Sequence, residues 1–360
     1  MLPQHLWALI CTAAGVLGAI SPTKRATICN GHPQFCSRPY SNITYIGAHD
    51  SFAFSADPFA LARDQEVNIT AQLQLGVRLL QAQAHMNGDV LHFCHTSCAL
   101  FDGGSVLSYL KLVKTFLDKN PNEVLTLLFT NPEGLSPATV WKPVFDAAGI
   151  SNLTYIPPSL PVKQSDWPTL GSMIDAGTRV VVFLDSQADG PEPVNFILPE
   201  FSMIWETPFS VTNASFPCSV NRIHGPLATE DHMYLINHSL NENIIPIGDG
   251  VIIPDRLDAS TTNGVPSILS HANGCNPLGG NRAPTFVLLD FVNVGAGFKA
   301  AGELNGIIAA PSSNASASAA ASPTSSRKSA AVPFTPHLSW TLLGLWVAVG
   351  GHGLSYGSVL

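Results

Sequence analysis

The sequence predicts an α/β protein whose one large domain is an irregular (β/α)8 barrel of the TIM type, and three observations indicate this fold class. The segment between Ile43 and Leu304 has about 260 residues, the size of one large domain. Apolar runs recur along it, several of them nearly continuous, as in parallel sheets that are covered on both faces. Helical patterns lie between some of these runs, and this alternation is typical of barrels.

Seven apolar segments are predicted to be strands of the barrel. They are ITYIGAH (43–49), VRLLQAQ (77–83), EVLTLLF (123–129), RVVVFLD (179–185), FSMIW (201–205), HMYLIN (232–237) and TFVLLDFV (285–292). A helix is predicted for SVLSYLKLVKTFLDKNP (105–121), because its apolar residues follow helical spacing and Asn120-Pro121 ends it.

The segment after the second predicted strand departs from the alternating pattern. HMNGDV (85–90) is too short for a parallel crossover, whereas its Asn87-Gly88 is a strong hairpin turn. We therefore expect VRLLQAQ and DVLHFCH (89–95) to form an antiparallel hairpin that projects from the barrel. The return strand of this hairpin would bring His95 back towards the mouth of the barrel.

The residues outside the domain, which we place at 21–310, carry two export signals. Residues 1–20 contain an apolar run that is too short to span a bilayer and fits a secretory signal peptide. Residues 311–332 are rich in Ser and Ala and lack large apolar side chains, so a disordered linker is expected. Residues 333–360 contain a short apolar tail, which predicts a GPI-anchor signal, with a simple secreted protein or a short membrane anchor as alternatives.

Composition restricts the partners and the location of the protein. The net charge is −8 with only 17 Lys and Arg, and no basic cluster exists, which argues against a nucleic-acid partner. Six Asn-x-Ser/Thr sequons agree with export. We therefore expect a secreted or cell-surface glycoprotein, a monomer, held at the membrane surface through a lipid anchor.

The stretch VLHFCHTSC (90–98) packs two histidines and two cysteines into nine residues, the ingredients of a zinc site. Six cysteines remain once Cys11 leaves with the signal peptide, and an even count in an exported chain favours disulfides over metal. On a strand, successive side chains face opposite sides, so the four candidate ligands would not converge. Closeness in sequence favours two short disulfides and leaves one long one: Cys29–Cys36, Cys94–Cys98 and Cys218–Cys275.

The carboxyl ends of the predicted strands, where barrels place their active sites, carry several ionisable side chains. They are His49 and Asp50, Asp185, Glu206 and Asp290, and the predicted hairpin adds His95. Histidines and carboxylates at one mouth suit general acid–base chemistry. The alternative is that the aspartates cap helices and turns.

The order of several motifs resembles the phosphatidylinositol-specific phospholipase C X-domain superfamily, and most of all its exported PLC-like phosphodiesterase branch in fungi. The motifs are YIGAHDSFAF, QLQLGVRLLQ, LHFCHTSC followed by DGG, FLDKNPNEVLTLLF and PTFVLLDFVNVG. The resemblance covers roughly residues 29–306, and it implies a distorted TIM barrel that cleaves phosphodiesters.

The resemblance also implies roles for four residues. His49 of GAHDS resembles the general base, which takes a proton from the attacking hydroxyl, and His95 of CHTSC resembles the general acid, which protonates the leaving oxygen. Asp290 of LLDFV resembles the carboxylate that orients His49, and Asp50 resembles the acidic neighbour of the histidine pair. This chemistry needs a base, a separate acid and a carboxylate that fixes the tautomer.

The second strand departs from the family pattern. Bacterial members carry an Asp-x-Arg there whose arginine neutralises the phosphate, and calcium-dependent members carry acidic ligands, whereas this sequence has Gln81-Ala82-Gln83. A glutamine can donate a hydrogen bond but brings no positive charge and is a poor calcium ligand. Arg78 should face the opposite side of the strand from Gln83, and Glu206 could bind a sugar-like hydroxyl group.

Two functions from different classes follow. The first is a phosphoric diester hydrolase of phospholipase C type that needs no cofactor or metal, with Gln81, Gln83, Asp185 and Glu206 as candidate contacts to a phospholipid or inositol-type headgroup. The second is a surface-displayed barrel that binds a headgroup or wall glycan with little or no turnover. The two histidines and Asp290 favour the enzyme, whereas the loss of the arginine favours the binding protein.

Overall fold

The computed structural model describes residues 25–245 and 251–307. The signal peptide predicted at 1–20, the linker at 311–332 and the anchor signal at 333–360 lie outside the described residues. Within the described ranges, no helix combines the length and the apolar character that crossing a membrane requires.

Twelve strands and seven α-helices make up the described part of the chain. The strands are β1 (Tyr45–Ala48), β2 (Leu79–Asn87), β3 (Val90–Cys94), β4 (Asp102–Ser105), β5 (Leu125–Thr130), β6 (Val180–Leu184), β7 (Ile197–Pro199), β8 (Ile204–Glu206), β9 (Met233–Asn237), β10 (Asn241–Asn243), β11 (Ile252–Pro254) and β12 (Phe286–Leu289). The helices are α1 (Ile69–Leu75), α2 (Val106–Lys119), α3 (Lys142–Ala148), α4 (Leu170–Ala176), α5 (Ala259–Thr262), α6 (Val265–Cys275) and α7 (Gly297–Leu304).

Eight parallel strands form one curled sheet in the order β7-β6-β5-β2-β1-β12-β9-β8. The prediction of an α/β barrel with irregularities is confirmed. The main irregularity is a seam, because no pairing joins β7 to β8 among the described residues. β10 and β11 form a separate antiparallel pair.

Alternate residues of the central strands pack into two different cores, which explains the nearly continuous apolar runs. In β12, Val287 packs in one cluster with residues of α2 and α6, whereas Phe286 packs in a second cluster with Tyr45 of β1 and Leu235 of β9. A strand buried on both faces has no polar side to alternate with. The second cluster therefore fills the inside of the curled sheet and the first lies under the helices.

The predicted hairpin and helix both form. β2 pairs antiparallel with β3 through Ala84↔Phe93 to Asn87↔Val90, so His95 follows a strand that returns from the hairpin turn. Helix α2 lies within the predicted segment 105–121; the side chain of Ser105 accepts a hydrogen bond from the backbone of Ser108, and Asn120 caps its end.

One strand prediction needs correction at residues 201–205. The chain there first makes a single 3-10 turn, Glu200–Ser202, and the strand begins only at Ile204. The short strand β7 just before this turn was missed, since three residues that end at a proline give too little pattern to recognise.

The three disulfides have the pairing expected from spacing: Cys29–Cys36, Cys94–Cys98 and Cys218–Cys275. With both sulfurs of VLHFCHTSC bonded to each other, neither is a thiolate that could bind zinc. The two histidines of this stretch have different partners. Nδ1 of His92 lies 2.9 Å from a carboxylate oxygen of Asp102 on β4. The stretch is therefore a disulfide-closed turn that carries His95.

Candidate active site

The parallel pairing of β1 with both β2 and β12 brings three strand ends together at one edge of the sheet. His49 and Asp50 come directly after β1, Asp290 directly after β12, and Gln81 and Gln83 lie in β2. The return strand β3 then delivers His95 to the same edge. The structure brings six of the predicted residues together there: His49, Asp50, Gln81, Gln83, His95 and Asp290.

His49 is held by Asp290. Nδ1 of His49 lies 2.8 Å from Oδ1 of Asp290, whose side chain is almost fully buried. With Nδ1–H donated to this carboxylate, the lone pair of the neutral ring lies on Nε2. Burial alone would lower the pKa of His49, but the charges of Asp290, Asp64 and Asp50 outweigh it and raise the pKa to about 10.

His95 is held by the loop that follows β1. Its Nδ1 lies 2.8 Å from the carbonyl oxygen of Ala62, to which it donates, and its Nε2 lies 3.8 Å from Oδ2 of Asp50. Oδ1 of Asp50 in turn accepts a hydrogen bond from the backbone of Gln83 at 3.1 Å. Burial raises the pKa of the Asp50 carboxyl, although both histidines act to lower it.

Asp64 is a site residue that the sequence interpretation missed. Its side chain is 1% exposed, with Oδ1 3.6 Å from Nδ1 of His49 and Oδ2 3.1 Å from Nδ1 of His95. Burial raises its pKa well above the usual value, and the like charges of Asp290 and Asp50 add to this. The only signal in the sequence is a charged RDQE (63–66) that interrupts the loop between the histidine motif and α1.

The two glutamines of β2 bind backbone groups of the site. Oε1 of Gln81 accepts from the backbone of Asp50 at 2.7 Å, and Oε1 of Gln83 accepts from the backbone of Thr96 at 2.7 Å. The amide nitrogen of Gln83 has no hydrogen-bond partner among the described residues and can donate to a ligand. Arg78 lies at the other end of β2, where it pairs with Glu123 at 2.7 Å.

Asp185 and Glu206 belong to a second polar cluster. Asp185 accepts from the backbone of Asn131 at 2.8 Å, and its pKa is raised by burial. Glu206 is buried against Arg222 and accepts from the side chain of Asn237 at 3.2 Å. Within the described residues these two carboxylates make no ion pair with His49 or His95, so the structure does not bring them into the histidine group.

The backbone is strained next to each main site residue. Asp50, Thr96 and Phe291 have positive φ angles of 33°, 62° and 46°, and they follow His49, His95 and Asp290 respectively. Side chains other than glycine rarely adopt this conformation, and a bulky residue such as Phe291 does so least readily. Such strain persists where the surrounding structure fixes it, and it concentrates at functional sites.

Among the described residues, two groups of side chains have the spacing of metal ligands. They are His49, Asp64 and Asp290, and Asp50, Asp64 and His95, with one ligand atom of each residue within 4.8 Å of the others. In the first group, however, His49 and Asp290 share a hydrogen bond of 2.8 Å. Their two atoms cannot both turn to a cation while that bond persists. The geometry of the first group therefore fits an acid–base pair better than a ligand set.

Comparison with known proteins identifies the family. The PI-PLC X family model matches residues 35–305. PI-PLC X domain-containing protein 1 of Arthroderma benhamiae is 42% identical over 315 residues, which cover 85% of this chain and 98% of that protein. An uncharacterized secreted protein of the same fungus is 36% identical over 292 residues, which cover 78% of this chain and 64% of that protein.

Among solved structures, the phosphatidylinositol-specific phospholipase C of Listeria monocytogenes aligns over 76% of this chain and 96% of that chain. The sequence identity is 14% and the TM-score is 0.47. On the family match and the fungal relatives, the chain belongs to the PI-PLC X family of phosphodiesterase-type proteins, as its motifs indicated.

Proposed function

We propose that the protein is a metal-independent phosphodiesterase of phospholipase C type that acts on a lipid or lipid-anchored headgroup. The observation that carries the proposal is the pair of histidine–carboxylate contacts at one sheet edge. His49 has Asp290 on Nδ1, and His95 has Asp50 near Nε2. Two histidines with separate carboxylates supply the base and the acid that cleavage of a phosphodiester needs.

Each proton in this mechanism has a defined origin and destination. Nε2 of neutral His49 takes the proton of the attacking hydroxyl as its oxygen bonds to phosphorus. Nε2 of protonated His95 gives its proton to the leaving oxygen as the second phosphorus–oxygen bond breaks. If the attacking hydroxyl belongs to the headgroup, the products are a cyclic phosphate and a lipid alcohol. The amide of Gln83 would donate to a phosphate oxygen, in place of a cation.

Exposed apolar side chains near the site support a lipid surface as the place of action. Phe59 and Leu257 are 86% and 87% exposed, and they lie on the loops after β1 and after β11. The two loops are tied together because Arg256 pairs with Glu66 at 2.6 Å. The loop of Phe59 continues to Ala62, whose carbonyl binds His95. Two exposed apolar side chains on loops that are tied together are candidates for insertion into a lipid surface.

A secreted or cell-surface location is part of the proposal, with a GPI anchor as the link to the membrane. The three disulfides of the described domain support an oxidising compartment. One relative is named a secreted protein. The predicted leader and tail supply the two signals that this route requires.

The test is to incubate the purified protein with vesicles of mixed phospholipids that contain phosphatidylinositol, with and without a chelator. We expect diacylglycerol and a cyclic phosphate in both cases. His49→Ala and His95→Ala should each lower turnover by roughly a hundredfold or more, whereas His92→Ala, which removes the histidine paired with Asp102, should not. Loss of turnover in the chelator arm alone would contradict metal independence.

The pH dependence follows from the raised pKa of His49. Its base form is scarce at neutral pH and grows as the pH rises towards about 10, so turnover should increase from pH 6 to pH 9. A rate that falls steadily over pH 6–9 would contradict the role of His49 as the base.

The second candidate is a barrel that binds a headgroup without turning it over. It is favoured by one observation, Gln83 at the position where the family carries a cation for the phosphate. If the wild type binds phosphatidylinositol vesicles but releases no product from them, the protein is a headgroup-binding barrel and the proposed phosphodiesterase is wrong.

A further inference from the structure

We propose that Asp64 is a positioning residue that holds both histidines at once, with one carboxylate oxygen on each ring. The inference deepens the proposed function and rests on it for the roles of His49 and His95. No motif of the sequence singled out Asp64, and its place is visible only in the folded chain.

The geometry of Asp64 is that of a bridge. Its Oδ1 lies 3.6 Å from Nδ1 of His49 and its Oδ2 lies 3.1 Å from Nδ1 of His95. Both oxygens are buried, and neither makes a well-aligned hydrogen bond to a described group. A buried carboxylate without partners is costly. Small rotations of the two rings would let each Nδ1–H group be shared between Asp64 and its present acceptor, which is Asp290 for His49 and the carbonyl of Ala62 for His95.

The backbone of Asp64 is fixed between two strand ends. Its N–H donates to the carbonyl of Ala53 at 2.9 Å, and its carbonyl accepts from Phe291 at 2.8 Å. The next residue, Gln65, donates from its amide to the carbonyl of His49 at 2.8 Å and to that of Leu289 at 3.1 Å. Asp64 is therefore anchored to the ends of β1 and β12, from which His49 and Asp290 project.

Asp64 supports one tautomer in both rings, the one that the hydrogen bonds from Nδ1 to Asp290 and to the carbonyl of Ala62 already select. Oxygens that face the two Nδ1 atoms require a proton on each, and the lone pair of a neutral ring then lies on Nε2. Among the described residues, Asp290 lies within 4 Å of a ring nitrogen of His49 only and Asp50 of a ring nitrogen of His95 only, whereas Asp64 lies within 4 Å of a ring nitrogen of both. The proposed reaction moves a positive charge from His95 to His49, and one carboxylate beside both rings stays close to that charge throughout.

Asp64→Asn tests the proposal, because the amide keeps the shape but has only one oxygen. A single amide oxygen cannot face both Nδ1–H groups, so one ring would face an NH2 group. The charged groups around position 64 are otherwise retained: His49, Asp50, His95 and Asp290. We expect kcat on phosphatidylinositol vesicles to fall about 10- to 100-fold, the worth of one hydrogen bond to a charged group, with little change in KM.

A matched control is Asp102→Asn, which changes an aspartate paired with His92 at 2.9 Å outside the site. It should leave kcat unchanged. The second readout is NMR of the protein labelled with 15N-histidine. Loss of the Asp64 charge should lower the pKa of His49 by about one unit or more, a change that mere loosening of the loop would not single out.

The same spectra of the wild type test the bridge even if the Asp64→Asn variant does not fold and even if the wild type shows no turnover. The 15N shifts should show a proton on Nδ1 of both His49 and His95. A lone pair on Nδ1 of either ring would overturn the bridge, even if Asp64→Asn does not fold. If the wild type shows no turnover but both rings carry the Nδ1 proton and His49 responds to Asp64→Asn, the bridge stands and only the proposed function fails. An unchanged His49 pKa in a folded variant would refute the bridge.

Discussion

The buried histidine pair His238 and His271 should make the protein sensitive to acid. Nε2 of His238 donates to the carbonyl of Thr262 at 2.9 Å, so its Nδ1 carries the lone pair that accepts from Nδ1 of His271, also at 2.9 Å. Both rings are therefore neutral in the folded state. Protonation of His238 would place two N–H donors face to face.

The magnitude follows from the two pKa values. Burial lowers the pKa of His238 from 6.5 to about 4, and burial together with His238 lowers that of His271 to about 3. The unfolded chain binds protons from about pH 6.5 downwards, whereas the folded chain does not until pH 4 or below, so stability is present above pH 6.5 and is lost as the pH falls. Between pH 7.5 and pH 5 each histidine should cost about 2 kcal/mol. The pair would thus remove about 4 kcal/mol of a typical 5–15 kcal/mol.

Guanidinium unfolding at pH 7.5 and pH 5 measures this loss for the wild type and for His271→Phe, whose ring can stack on Phe216 as the imidazole does. The variant should lose about 2 kcal/mol less than the wild type between the two pH values. Buried carboxyl groups with a raised pKa, such as Asp64 and Glu200, act in the opposite direction, so the difference between variants isolates the pair. A variant at the partly exposed His32 is the control. Equal losses in wild type and His271→Phe would refute the reasoning.

Three further predictions concern the candidate site. Gln83→Arg should raise turnover on phosphatidylinositol vesicles, because a cation near the phosphate stabilises the transition state. Cys94→Ser with Cys98→Ser opens a loop with a sequence separation of only 4, so the double variant should lose about 2 kcal/mol of stability at most but far more activity, since His95 lies between the two cysteines. Phe59→Ser with Leu257→Ser should weaken sedimentation with vesicles while turnover of a soluble short-chain substrate persists.

Each of the three has a matched comparison. A folded Gln83→Arg variant with no gain in kcat would speak against a weakened phosphodiesterase. Replacing Cys29 and Cys36, which lie in another part of the domain, should reduce activity only as far as it reduces stability. Leu112→Ser on α2, at a side chain that is 49% exposed, should leave vesicle binding unchanged. An equal loss of binding in this variant would show that the loops of Phe59 and Leu257 have no special role in binding.

The sequence was sufficient for the parts of the fold that local patterns specify. Buried apolar runs located seven of the eight parallel strands, and Asn87-Gly88 specified the hairpin that carries His95. Motif resemblance located His49 and Asp290 on strands that are neighbours in the sheet but lie some 240 residues apart in the chain. Spacing also gave the three disulfides.

What the sequence could not give depends on contacts between loops. Asp64 lies in a segment without periodicity, and its position beside both histidines results from the folding of the loop over β1 and β12. The surroundings of Glu206 were equally hidden, because its partner Arg222 comes from a later loop. The end of a predicted strand indicates where a carboxylate lies in the fold, but it does not indicate which side chain from another segment will neutralise its charge.

The seam between β7 and β8 determines where the barrel should open locally. Each of these strands has a paired neighbour on one side only, β6 and β9 respectively, so their amides should exchange with solvent hydrogen before those of the other six parallel strands. The strands that carry the histidines, β1, β2 and β12, occupy the middle of the eight-strand order. Opening at the seam therefore leaves these three strands paired to each other. Local opening of β7 and β8 at the seam should therefore leave the register of the strands around the candidate site unchanged.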